Sequence, residues 1–115
     1  MRRVGAVAYG ALRFISAAYV ASLNVPGIYL AVGDRGTRYV GQTRTTVMKR
    51  WRKHVSDLRR NAHHNTPLQN AVNSGEGFFI IPLEYIPRDS PSWFFDQRER
   101  HWMKWAGEAA VNVAG

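Results

Sequence analysis

The side chains whose types and spacing could do chemistry are two tyrosines, an arginine and histidine pair, and one carboxylate: Tyr29, Tyr39, Arg50, His54 and Glu99. Tyr29 and Tyr39 lie in Gly27 to Gly41, which reads GIYLAVGDRGTRYVG. A three-residue loop over Asp34-Arg35-Gly36, a type I turn closed by a left-handed glycine, sets Gly33 opposite Thr37 and Tyr29 opposite Gly41. Side chains alternate faces along a strand, so this register puts both phenols on one face as diagonal neighbours; a two-residue loop would separate them. Such a pair serves either ordinary sheet packing or one wall of a polar site. Arg50 and His54 stand at i and i+4 of a helical pattern, side by side at the border of its apolar stripe. They are expected to face the seam between helix and sheet, although a border arginine can also simply cover apolar surface with its stem. Glu99 falls in the middle of an apolar helix face. A carboxylate there is costly unless it is paired with an arginine such as Arg98 or Arg50, hydrogen-bonded, or bound to a metal.

Several elements must position these groups. Ile28 to Val32 and Thr37 to Val40 are short runs of β-branched and aromatic residues and form the hairpin. Beyond Gln42, the residues Val47, Trp51, Val55 and Leu58 recur at helical spacing as one apolar stripe, with Lys49, Arg52, Lys53, Arg59 and Arg60 projecting away. His63 and His64 sit in a loop and lack the bracketing strand pair of a ββ-metal site. Thr66-Pro67-Leu68-Gln69 predicts a second helix, with Thr66 as N-cap and Gln69 completing a capping box, ending near Gly75. Phe78 to Ile86 reads as a third strand, and Pro82, without a ladder donor, places it at an edge or on a bulge. Ser90-Pro91 starts a last helix that runs to about Trp105, with Gly107 beyond its end. On it Phe95, Glu99, Trp102, Met103 and Ala106 share one stripe, and Gln97, Arg100, His101 and Lys104 take the opposite face.

The chain has 115 residues, which bounds it to one domain with a modest core. A net charge of +8, from 16 Lys and Arg against 8 Asp and Glu, favours a polyanionic partner, with nucleic acid ahead of a membrane. The sequence has no cysteine, which excludes disulfides, thiol chemistry and Cys-ligated zinc and fits a reducing, cytoplasmic setting. Residues 1–25 differ from the rest: they carry Arg2, Arg3 and Arg13, many alanines and no acid. They read as a helical or irregular extension packed on the domain of residues 26–115, with a non-native or organelle-targeting segment as the other readings.

In this order the pieces resemble the GIY-YIG nuclease family, and most closely the phage homing-endonuclease branch. The hairpin carries Gly27-Ile28-Tyr29 and Tyr39-Val40-Gly41, and the helix carries Lys49-Arg50-Trp51 with His54. Arg98-Glu99-Arg100-His101-Trp102 and Asn112 complete the pattern. The resemblance implies an α+β fold, a small three-stranded antiparallel sheet flanked by helices in the order ββααβα. It also implies metal-dependent hydrolysis of DNA phosphodiesters, with Mg2+ as the ion and Mn2+ as a substitute. Glu99 would bind the metal, Arg50 would donate to the scissile phosphate, and Tyr29 would activate or orient water with His54 and Tyr39 in support. Cationic Arg50 and His54 would lower the pKa of Tyr29. Gly27, Gly41, His63 and Asn112 would support the site. Lys49, Arg52, Lys53, Arg59 and Arg60, with Arg44 just before them, would contact the DNA backbone. Targeting is expected from a homodimer or a separate DNA-binding protein.

Overall fold

The computed structural model describes residues 17–107. At its centre is an antiparallel sheet of β1 (Gly27–Gly33), β2 (Arg38–Thr43) and β3 (Phe78–Tyr85), in the spatial order β2-β1-β3. Between β1 and β2 the turn is the expected three-residue loop. The Gly33 N–H donates to Thr37 O at 2.7 Å, and Gly36 takes a φ of 94°, open to glycine without strain. Tyr29 therefore stands opposite Gly41 and Ala31 opposite Tyr39. β3 is an edge strand and also carries an irregularity: Ile28 pairs with Glu84 but Tyr29 with Pro82. Leu83 is the extra residue of this bulge, next to Pro82, which has no N–H to give the ladder.

Helices cover both faces. Beneath one face lie α2 (Val47–Arg59) and α3 (Thr66–Asn73); beneath the other lies α4 (Ser92–Ala106). Tyr29, Ala31, Tyr39, Phe78 and Ile80 point to the α2 side and close a core with Val47, Trp51, Val55, Leu58 and Leu68. Ile28, Leu30 and Val40 point the other way, onto Phe95 and Ala106 of α4 and onto Ile86. The period-2 alternation of the strands thus assigns every second residue to one of two cores. Among the described residues no helix is long and apolar enough to cross a membrane.

Part of the extension belongs to this fold. A short helix α1 (Ala17–Ser22) leads to Leu23, which is buried in the core on the α2 side, and the Tyr19 hydroxyl donates to Ile80 O. The segment also satisfies the start of α2: Met48 N donates to Leu23 O at 2.8 Å and Val47 N to Val25 O at 3.0 Å. Thr46 Oγ1 takes Lys49 N at 3.1 Å. The free N–H groups that open α2 are therefore closed by protein.

Two helix starts differ from expectation. Asn65, not Thr66, caps α3, because its side chain accepts from Leu68 N at 2.9 Å. Gln69 closes no box there; its Oε1 reaches back to His63 N at 3.0 Å and its amide donates to Leu58 O. At α4 the N-cap position is Pro91, with no side-chain bond from Ser90.

Candidate active site at the free edge of the sheet

Tyr29 is wholly buried, and its hydroxyl lies over the backbone of Gly41 on the neighbouring strand. A Cβ at Gly41 would come within 2.4 Å of the phenol oxygen, so only glycine leaves room for this ring. The Tyr29 and Tyr39 ring centroids are 6.5 Å apart on the same face. Tyr39 packs edge-on against His54, with centroids 5.4 Å apart.

His54, one turn after Arg50 on α2, is buried and reaches the pair from below. Its Nε2 lies 2.7 Å from Tyr29 Oη, and its Nδ1 lies 2.6 Å from Nε2 of His63. The ring of His64 stacks on that of His63, with centroids 4.4 Å apart. His63 is thus the inner histidine of the loop. Burial pushes His54 down to about 3, reinforced by His63 and Arg50, and pushes His63 down to about 4. Both rings are neutral at pH 7. His54 is therefore not the cationic neighbour expected for Tyr29. Burial, with Tyr39 beside it, raises the phenol well above its ordinary value, although Arg50 pulls it back. Tyr29 stands in the site as a neutral phenol. Arg50 parts company with His54: it is exposed, and its guanidinium acts on the Tyr29 hydroxyl electrostatically, pulling the phenol's pKa down. Residues one step apart on the helix surface thus differ in burial, His54 inside and Arg50 exposed, while both act on the same hydroxyl.

Glu99 comes from the other side of the sheet. Gln42, on β2, faces α4 and donates through Nε2 to Glu99 Oε1 at 2.7 Å and to Asp96 Oδ1 at 2.8 Å. Glu99 makes no ion pair with Arg98, which instead donates to Glu84 at 2.8 Å. Burial raises the Glu99 carboxyl, Gln42 opposes this, Asp96 adds to it, and Arg50 and Arg100 pull it down. Glu99 in turn acts electrostatically on both tyrosines. The two sides of the sheet thus meet around β2, an edge strand among the described residues.

The carboxylate suits a hard divalent cation. Among the described residues no three His, Cys, Asp or Glu side chains form a cage. A half-buried Glu99 without an ion-pair partner among the described residues, with Asp96 on the same amide, fits an ion that keeps most of its shell as water and substrate oxygens. Mg2+ does so, whereas Zn2+ or Ca2+ takes more protein ligands.

The family model described as the GIY-YIG catalytic domain matches residues 25–112. The chain belongs to the GIY-YIG family. Among solved structures it is similar to the catalytic domain of the homing endonuclease I-TevI, at 29% identity and a TM-score of 0.70, covering 78% of this chain and 99% of that one. A single-substitution mutant of the I-TevI catalytic domain, an intron endonuclease, gives 27% identity and 0.71, covering 78% and 95%. No curated protein sequence matches the chain.

Within this GIY-YIG domain, the remaining site candidates divide. Gly27 takes a φ of 144° and a Cβ there would meet Glu84 O at 2.0 Å, so it secures strand pairing at the far end of β1. Asn112 lies outside the described residues. Arg44 has a role within the fold. Its guanidinium donates to Arg88 O, Ser90 O and Ser92 Oγ and lies 4.4 Å from the centre of the Phe95 ring, fastening the loop before α4. Lys53 and Arg60 both pair with Asp57, and Lys49 and Arg52 are exposed on the same helix. The sequence reading missed Gln42, Asp96 and Asn65. Gln42 alternates in phase with Val40 along β2, and Asp96 precedes Glu99 by one helical step, but only the register between β2 and α4 joins them.

Proposed function

We propose that this protein is a divalent-metal-dependent DNA endonuclease, with Mg2+ as its ion, hydrolysing phosphodiester bonds at the β2 edge. The observation that carries the reading is the placement of Arg50. Its exposed guanidinium acts electrostatically on both the Tyr29 hydroxyl and the Glu99 carboxylate, so cation, phenol and metal-suited carboxylate share one neighbourhood. The family membership and the likeness to the I-TevI catalytic domain support it.

When bound, the ion would supply Lewis-acid stabilisation of the leaving oxygen. Glu99 would hold it, steadied by Gln42. Arg50 donates to the non-bridging phosphate oxygens, whose charge grows toward the transition state. Tyr29, a neutral phenol, orients the attacking water, and Gly41 keeps its oxygen in place. Tyr39 sets the ring plane of His54 by edge-on packing.

The test is nicking of supercoiled plasmid in Mg2+, with an EDTA control. EDTA is expected to stop cleavage, and Glu99→Ala and Arg50→Ala to slow it by roughly a hundredfold or more each. Nicking that survives both substitutions sinks the assignment. Binding without cleavage on plasmid, branched and single-stranded DNA would make the chain a DNA-binding module.

A further inference from the structure

The chain of bonds behind Tyr29 has a direction, and a backbone amide sets it. The Asn65 N–H points at Nδ1 of His63 at 3.0 Å, so that nitrogen must be bare. The amide cannot turn away, because Asn65 also caps α3 and His63 N is held by Gln69. An imidazole carries at least one proton, so that of His63 sits on Nε2. From there it points at Nδ1 of His54, 2.6 Å away, which must then be bare in turn. The proton of His54 therefore sits on Nε2, 2.7 Å from Tyr29 Oη.

We infer that His63 is a positioning residue which, oriented by the Asn65 amide, fixes the tautomer of His54 so that His54 donates a hydrogen bond to Tyr29 and cannot accept its proton. The two histidines are a prop and not an inward proton relay. With His54 donating to the phenol oxygen, the hydroxyl proton is directed away from the histidines, toward the side on which exposed Arg50 acts, where it can orient a water or a phosphate oxygen. Any loss of that proton takes place outward. Asn65 thereby serves the site as well as capping α3, and His63 acquires a defined task two bonds from the reacting groups. The inference rests on the nuclease reading for its consequence, but the tautomers themselves do not.

Long-range 1H–15N correlation NMR of the full chain at pH 7 decides the tautomers without any cleavage assay. The expected result is a bare Nδ1 and a protonated Nε2 on both His54 and His63. A proton on Nδ1 of His54, or a doubly protonated ring at either residue, overturns the inference. The consequence is read with two variants. His63→Gln offers an amide N–H where Nε2 stood, and should keep His54 in its tautomer and nicking within about threefold of wild type. His63→Leu removes the donor, so His54 should shift toward the Nδ1–H form and kcat should fall roughly tenfold with KM for DNA unchanged. Wild-type kcat in His63→Leu, or an equal loss in both variants, overturns the positioning role. If His63→Leu does not fold, the wild-type spectrum and His63→Gln still decide. A wild type with the expected tautomers but no cleavage of any DNA would refute the nuclease reading alone.

Discussion

Glu99 shows how one carboxylate can work against stability and for function. Its folded pKa is raised, chiefly by burial, so the native state favours the protonated form. Stability linked to this group is therefore fully present below its unfolded value and is lost as pH rises through the folded one. The charged form is a liability until a cation joins it. Glu99→Gln should raise the melting temperature by a few degrees in EDTA while abolishing nicking, and Mg2+ should raise the melting temperature of wild type but not of the variant. A wild type indifferent to millimolar Mg2+ would count against Glu99 as ligand. His54 has the opposite sign. Its pKa falls to about 3 on folding, so the unfolded chain binds a proton that the native state refuses. Its contribution is complete above about pH 6.5 and is lost as pH drops toward 3. Urea midpoints measured from pH 7 to pH 4 should fall, and His54→Asn should flatten that slope.

Among the elements, the hairpin is the most demanding. Its register rests on Glu76, buried between β3 and the turn, whose carboxylate accepts from Arg35 N and Thr37 N at 3.0 Å and from Thr37 Oγ1 at 2.6 Å. That anchor and the left-handed Gly36 keep Tyr29 over Gly41. Gly41→Ala should therefore cost about 1–3 kcal/mol of stability, because the added methyl needs the space of a buried phenol. It should also reduce nicking well beyond what the lost stability explains. Chemical denaturation combined with nicking by the folded fraction separates the two. Full activity in a well-folded variant would mean that the position of Tyr29 does not matter. The same element scale explains the reach of α2: its opening N–H groups are closed by Val25, Leu23 and Thr46, so its cations, and not its helix end, are what it can offer a phosphate.

At the scale of the whole molecule, a +8 chain carries Lys49 and Arg52 exposed on α2, the helix that presents Arg50. Phosphate contacts of this kind give affinity without reading sequence and release counterions. The double substitution Lys49→Ala with Arg52→Ala should weaken DNA binding by a similar factor on unrelated sequences. It should also lower the slope of log K against log salt by about 1–2. Lys53→Ala should do less, since Lys53 is already paired with Asp57 at 2.9 Å. An unchanged salt slope in the double variant would move the DNA track elsewhere. On the proposed reading that track leads to β2, an edge strand among the described residues that packs against α4, with Arg50 of α2 and Glu99 of α4 acting on one another electrostatically.

By itself, the sequence determined the pieces that depend on local rules. Turn chemistry at Asp34-Arg35-Gly36 fixed the hairpin register and put both tyrosines on one face. Helical period placed Val47, Trp51, Val55 and Leu58 inside, and the missing N–H of Pro82 sent β3 to the edge. Motif order named the family. What local rules could not reach was decided by contacts between residues far apart in the chain. Burial, a property of packing, made His54 neutral where sequence suggested a cation, and separated it from Arg50 although the two are neighbours on one helix. The β2 to α4 contact gave Glu99 an amide partner, Gln42, where sequence left an arginine, a hydrogen bond and a metal all open. A helix cap shifted by one residue, from Thr66 to Asn65, turned a backbone N–H onto His63. Through two rings, that amide settles which way Tyr29 holds its proton.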